Sequence, residues 1–273
     1  MAISYACAMG HAPGITAWRD AAPAEQRERL YASFERLRAE LAAAQPDVLV
    51  LFTSEHWANF FLDHVSPYCI GRAEQYQGPI EPWLKIKRTR LQGDPELASA
   101  IIEACYRHDV EPGFSYELQL DHGTMVPLHF LLPRMNLPIV PIFINTLSPP
   151  LPTGRRALAL GRVVGEVARS WPRRVGIIAT GGMSHDPGER GHGTIDTAFD
   201  QAFLDHLVRG DLEQLAKYTP DDFSSAGAGA VELLSWIALA GALQRFRGEV
   251  AAYEPVRAWA TGIGAMSFAI LDQ

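Results

Sequence analysis

Apolar residues fall along this chain in two rhythms, one of strands and one of helices. Residues 3–9 and 174–179 read as strands, and 48–52 is apolar throughout, as a parallel strand buried on both faces is. Ile139–Ile144 reads as a further strand, whose internal Pro141 predicts an edge or a bulge. Ala24–Ala44 predicts a long amphipathic helix with Leu30, Phe34, Leu37 and Leu41 on one stripe, broken by Pro46-Asp47. Asp94-Pro95-Glu96 opens a helix to Arg107, because proline suits the first helical turn and acids favour it. Further helices are expected over 126–132, 154–170, 196–209 and 211–217, then a long apolar one over 230–246. Between 65 and 90, Pro67, Pro79, Pro82 and several aromatics predict a strand, an irregular excursion and a short strand near 84–86. A Gly-rich loop is expected over 186–193.

Strands alternating with helices predict a single α/β domain whose mixed central β-sheet is covered by helices on both faces. A chain of 273 residues is long enough for a substantial core, and it shows no internal repeat or linker. The net charge of −7 argues against a nucleic-acid partner, which requires a basic face. Arg155-Arg156 and Arg173-Arg174 are isolated pairs that read as solvated surface. No stretch approaches the roughly 18 apolar residues of a membrane span, and the first residues lack the basic region of a secretory signal. Three widely spaced cysteines, Cys7, Cys69 and Cys105, suggest neither a disulfide framework nor a Cys-x-x-Cys metal site. A reduced, cytoplasmic protein is expected.

Four histidines stand at or near the ends of apolar runs, where an α/β sheet displays its functional groups. They are His11, His56, His122 and His185. His11 lies in the tight turn Gly10-His11-Ala12-Pro13; His56 follows a buried strand; His122 lies at a predicted helix start; His185 follows a Gly-Gly turn that permits close ligand approach. His64, His108, His129, His192 and His206 lack that context. Glu232 is the only ionisable residue between Ser224 and Leu243. Such a carboxylate is either a first-turn residue favoured by the helix dipole or part of a site that compensates its desolvation. Its Gly- and Ala-rich flank favours a site. Two histidines and one carboxylate form the facial triad of non-haem Fe(II) oxygenases, and His11, His56 and Glu232 supply the parts.

Met9-Gly10-His11-Ala12-Pro13, Ser54-Glu55-His56, Asp121-His122-Gly123, Gly181-Gly182-Met183-Ser184-His185 and Ala230-Val231-Glu232 together resemble the class III extradiol ring-cleavage dioxygenases. The resemblance runs from residue 9 to about 266 and includes the 140–145 and 261–266 segments. It implies His11, His56 and Glu232 as Fe(2+) ligands, His185 as the acid–base residue, and His122 as a residue that hydrogen-bonds substrate or oxygen. It further implies a catechol-like substrate, dihydroxylated or aminohydroxylated, whose ring opens beside the diol with both atoms of O2 inserted. A carboxylated catechol, an aminophenol and a hydroxylated pyridine remain open. So do a homo-oligomer and a small helical partner subunit. Two other readings use the same residues: a Zn(II) hydrolase with a His/His/Glu site, and a non-catalytic binding relative. Residues 72–83, rich in aromatics and proline, either line the pocket or form a surface excursion.

Overall fold

The computed structural model describes residues 3–188 and 191–271. Its strands are β1 (Ile3–Met9), β2 (Val48–Ser54), β3 (Tyr68–Gly71), β4 (Gln75–Gly78), β5 (Thr89–Gln92), β6 (Gly113–Ser115), β7 (Ile139–Ile144), β8 (Val175–Thr180), β9 (Phe246–Val256) and β10 (Thr261–Ile270). Its helices are α1 (Gly14–Ala17), α2 (Ala24–Ala44), α3 (Pro95–Arg107), α4 (His122–Leu131), α5 (Gly154–Ser170), α6 (Thr197–Arg209), α7 (Leu212–Lys217), α8 (Pro220–Ser224) and α9 (Leu234–Leu243).

Among the described residues, eight strands form one sheet in the order β6-β3-β7-β2-β8-β1-β10-β9. β7, β2, β8 and β1 run parallel at its centre, and β10 closes antiparallel on β1. The expected mixed sheet with helices on both faces is therefore what the chain forms. Both faces carry core. One is packed by α3, α5, α6 and α9, the other by α2 and α4. Leu30, Phe34, Leu37 and Leu41 of α2 are all buried, as their spacing predicts. α9 is buried on every side because it lies between the sheet and α5. Gly161 permits that contact: a Cβ there would meet Ala238 O at 1.9 Å.

Four expectations need correction. Pro141 does not mark an edge, since β7 lies between β3 and β2. The β3–β7 ladder starts only at Ile142, and the Pro141 ring packs against Gly71, so the missing N–H costs no bond in that ladder. Residues 84–86 are no strand: Pro82–Leu84 is a 3-10 turn and Lys85 takes the left-handed conformation. The strands here are β4 and β5, a separate hairpin sheet. The apolar helix expected over 230–246 is shorter, because Ala228–Leu233 is a 3-10 turn and Phe246 already belongs to β9. The helix that Asp121-His122-Gly123 is expected to open, over 126–132, already runs from His122 and ends at Leu131, capped by Asp121. Of the loop expected over 186–193, Glu189 and Arg190 lie outside the described residues. No helix among the described residues is long and apolar enough to cross a membrane. Cys7, Cys69 and Cys105 are free and buried.

Candidate active site

Three neighbouring parallel strands bring the site together. β2, β8 and β1 lie side by side, with Met9 opposite Thr180 and Phe52 opposite Ala179. Their carboxyl ends thus deliver His11, His56 and the turn 181–185 to one place, where open α/β sheets bind ligands. The 3-10 turn before α9 brings Glu232 into the same place, and α4 brings His122. All five residues line one cavity of about 560 Å³.

Each histidine has one ring nitrogen committed to the protein. Gly123 O can only accept, so the Thr180 hydroxyl donates to it (2.8 Å) and its oxygen accepts from His11 Nδ1–H (3.1 Å). His56 Nδ1–H donates to Asp121 Oδ2 (2.9 Å), which also accepts from the His56 backbone N–H (3.1 Å). Asp121 Oδ1 caps α4 by accepting from Gly123 N–H (2.9 Å). His122 Nδ1–H donates to Glu81 Oε1 (2.7 Å), and His185 Nδ1–H to Met183 O (2.7 Å). The Nε2 atoms are left for chemistry.

His11 Nε2 lies 3.0 Å from Glu232 Oε2, and His56 Nε2 lies 3.0 Å from Glu232 Oε1. His11 Nε2 is buried and has no hydrogen-bond partner. With both Nδ1 atoms donating, neutral imidazoles would point lone pairs at a carboxylate. A proton or a cation must stand between them. Burial opposes charge on His56, but Asp121 and Glu232 outweigh it and hold its pKa well above the ordinary value. Burial would likewise raise Glu232, yet His11 and His185 outweigh it and hold the carboxylate well below its ordinary range. His11, with burial dominant, is lowered. A metal ion fits the same gap. Two ligand atoms, each about 2.1 Å from one ion and at right angles, stand about 3 Å apart. Gly182 N–H donates to Glu232 Oε2 (2.6 Å) and fixes the carboxylate.

A second ligand set is present in outline: one nitrogen each of His11, His56 and His122 lie within 4.8 Å of one another. The rings of His56 and His122 are 4.0 Å apart. His185 Nε2 lies 3.7 Å from Glu232 Oε1. It sits so close to the backbone that a Cβ on Gly229 would meet Nε2 at 2.0 Å. The turn carrying it is tied down by Asp200, which accepts from Ser184 N–H and Ser184 Oγ–H (both 2.7 Å) and from Tyr253 OH (2.6 Å). β10 adds a bridge between His185 and Thr261.

Residues 5–264 match the family described as the catalytic LigB subunit of aromatic ring-opening dioxygenase. The chain belongs to that family. This ring-opening dioxygenase is 28% identical to the 2,3-dihydroxyphenylpropionate/2,3-dihydroxicinnamic acid 1,2-dioxygenase of Burkholderia vietnamiensis strain G4, with 97% of each chain covered. It is 29% identical to the enzyme of the same name from Xanthobacter autotrophicus strain Py2, covering 98% of this chain and 99% of that one. Its fold is similar to the crystal structure of an uncharacterized protein from Escherichia coli K12, with TM-score 0.58, 15% identity, and 96% and 99% of the two chains covered. The class III extradiol resemblance of the five motifs is thus borne out by the family.

The site is also built from residues to which sequence reasoning gave no role. Asp121 stands in one of the five motifs, but nothing in the sequence marks it as the partner of His56, 65 residues away. Glu81 and Thr180 gave no signal at all. His192, set aside for want of a strand end, is exposed yet lines the cavity. Of residues 72–83 none lines it, and Glu81 stands behind His122.

Proposed function

We propose that this chain, as a single catalytic domain, is an Fe(II)-dependent extradiol dioxygenase. It opens a catechol-like ring with insertion of both atoms of O2. The observation that carries this is the Glu232 carboxylate, 3.0 Å from the free Nε2 of both His11 and His56. That donor set matches the two-histidine, one-carboxylate site of non-haem Fe(II) oxygenases. When bound there, Fe(II) supplies a Lewis acid for the diol and open positions for substrate and O2 together.

The remaining groups divide the proton work. His185 offers a free Nε2 at the cavity, with Nδ1–H held by Met183 O. It takes a proton from a diol hydroxyl as general base and returns it later as general acid. His122 lines the same cavity, and its Nδ1 is tied to Glu81 Oε1 (2.7 Å). It steadies negative charge on substrate oxygen, as preorganised donors do. Asp121 and Thr180 fix the tautomers of His56 and His11, so both Nε2 atoms stay available to a cation.

Metal analysis after anaerobic loading with Fe(II) separates the two ligand sets. Glu232→Ala is expected to lose iron and His122→Ala to keep it. The reverse pattern replaces Glu232 with His122 as the third ligand. His185→Ala is expected to keep iron and lose turnover by about 10²- to 10⁴-fold, the usual share of one acid–base group. Ester or amide hydrolysis with Zn(II), without O2 uptake on any catechol or aminophenol, contradicts the reading as a whole.

A further inference from the structure

Trp18 and Trp83 are 55% and 45% exposed, yet their rings stack 5.3 Å apart at 18°. Trp18 lines the cavity that holds the five site residues, and so does Trp259. Trp259 is buried against Gly14, where a Cβ would meet its ring at 2.3 Å. Its only donor, Nε1–H, is given to Trp18 O (3.0 Å). Three distant segments therefore build one aromatic wall. Both ends of it are anchored to the chemistry. Glu81, two residues before Trp83, holds His122; Thr261, two residues after Trp259, bridges to His185.

We propose that Trp18 and Trp259, with Trp83 stacked behind Trp18, select catechols whose ring substituent is uncharged and apolar. This rests on the ring-cleavage reading above and adds the substituent to it. The ionisable groups of the cavity gather at its histidine and Glu232 end, except His192, which is exposed and accepts from Gly188 N–H at Nδ1 (3.4 Å). No Lys or Arg among the described residues lines it. An anionic tail laid on this wall leaves water without gaining a Lys or Arg partner among the described residues, which is unfavourable. An apolar tail covers indole surface that is otherwise wet, which is favourable. The preference therefore differs from the propionate-bearing catechol for which the relatives are named.

Calorimetry on the Fe(II)-loaded protein under nitrogen tests this with three probes. They are catechol, 3-propylcatechol and 3-(2,3-dihydroxyphenyl)propionate; the last two differ only in a terminal methyl against a carboxylate. The propyl compound is expected to bind at least about tenfold more tightly than the propionate, the effect of covering one or two further apolar groups. Trp18→Ala, checked for folding by circular dichroism, removes most of that preference, so that the propyl and propionate compounds bind within about twofold of each other. Trp18→Phe restores the preference, and Trp83→Ala gives an intermediate loss. Equal or tighter binding of the propionate overturns the proposal. So does a folded Trp18→Ala variant that keeps the preference, or an Arg190→Ala or His192→Ala variant that selectively loses the propionate. If none of the three probes binds, the ring-cleavage reading falls, and the wall with it.

Discussion

His11 and His56 have their Nδ1 atoms tied to Thr180 and Asp121 and their Nε2 atoms turned to one carboxylate. Removing a tie should therefore act on metal affinity before it acts on chemistry. Asp121→Asn is expected to weaken Fe(II) binding by about 10- to 100-fold, as loss of such supporting partners does, measured by competition with a chelator. The same residue carries a pH signature in the metal-free protein. Burial would raise the Asp121 carboxyl, but His56 outweighs it, with His122 and His11 adding, and holds it at about 2. Its charge thus contributes stability that is present above about pH 4 and is lost as pH falls towards about 2. His56 has the opposite sign: its raised pKa contributes stability at low pH that is lost as pH rises through the raised value. Asp121→Asn should flatten both limbs of a denaturation-midpoint profile. Gly229→Ala is expected to displace His185, since its Cβ would meet Nε2 at 2.0 Å. Iron should remain bound while turnover falls. At this scale the four histidines are legible because they stand at or near the ends of apolar runs, and Glu232 because it is the only ionisable residue between Ser224 and Leu243. The sequence does not show Glu81, Asp121 as the partner of His56, or Thr180, because their partners are tens of residues away.

Among the elements, the parallel strands at the sheet centre decide the geometry. β1, β2 and β8 are nearly all apolar because both of their faces are covered, and that is why they are legible from pattern alone. β9 and β10 are not. Thr261-Gly262-Ile263-Gly264-Ala265-Met266 has too many glycines to read as a strand, yet those glycines are what the packing requires. A Cβ on Gly264 would meet Met183 Sδ at 2.9 Å, within the turn that carries His185. The 230–246 misreading arises because apolar composition without periodicity does not distinguish a 3-10 turn from a helix, and the 84–86 one because the alternation Leu84-Lys85-Ile86 is too short to tell a turn from a strand. The α5–α9 contact makes the clearest stability prediction. Gly161→Ala places a Cβ 1.9 Å from Ala238 O and is expected to destabilise the fold by about 1–3 kcal/mol, read from the urea midpoint. An unchanged midpoint would mean that the helices separate more easily than their contact suggests.

For the whole molecule, the sheet order matters more than any one motif. Because β2, β8 and β1 are neighbours, residues 11, 56 and 185 converge although the chain runs far between them. The net charge of −7 and the histidine-rich cavity are compatible, since the positive charge a metal would bring is met by Glu232 and not by the surface. The central claim is that this site puts both atoms of O2 into a catechol-like ring. Turnover of the Fe(II)-loaded protein with a catechol under ¹⁸O₂, followed by mass spectrometry of the product, tests it most directly. The account predicts one O2 consumed per ring opened and two labelled oxygen atoms in an extradiol product. A product with one label, or none, or an intact ring, would contradict it.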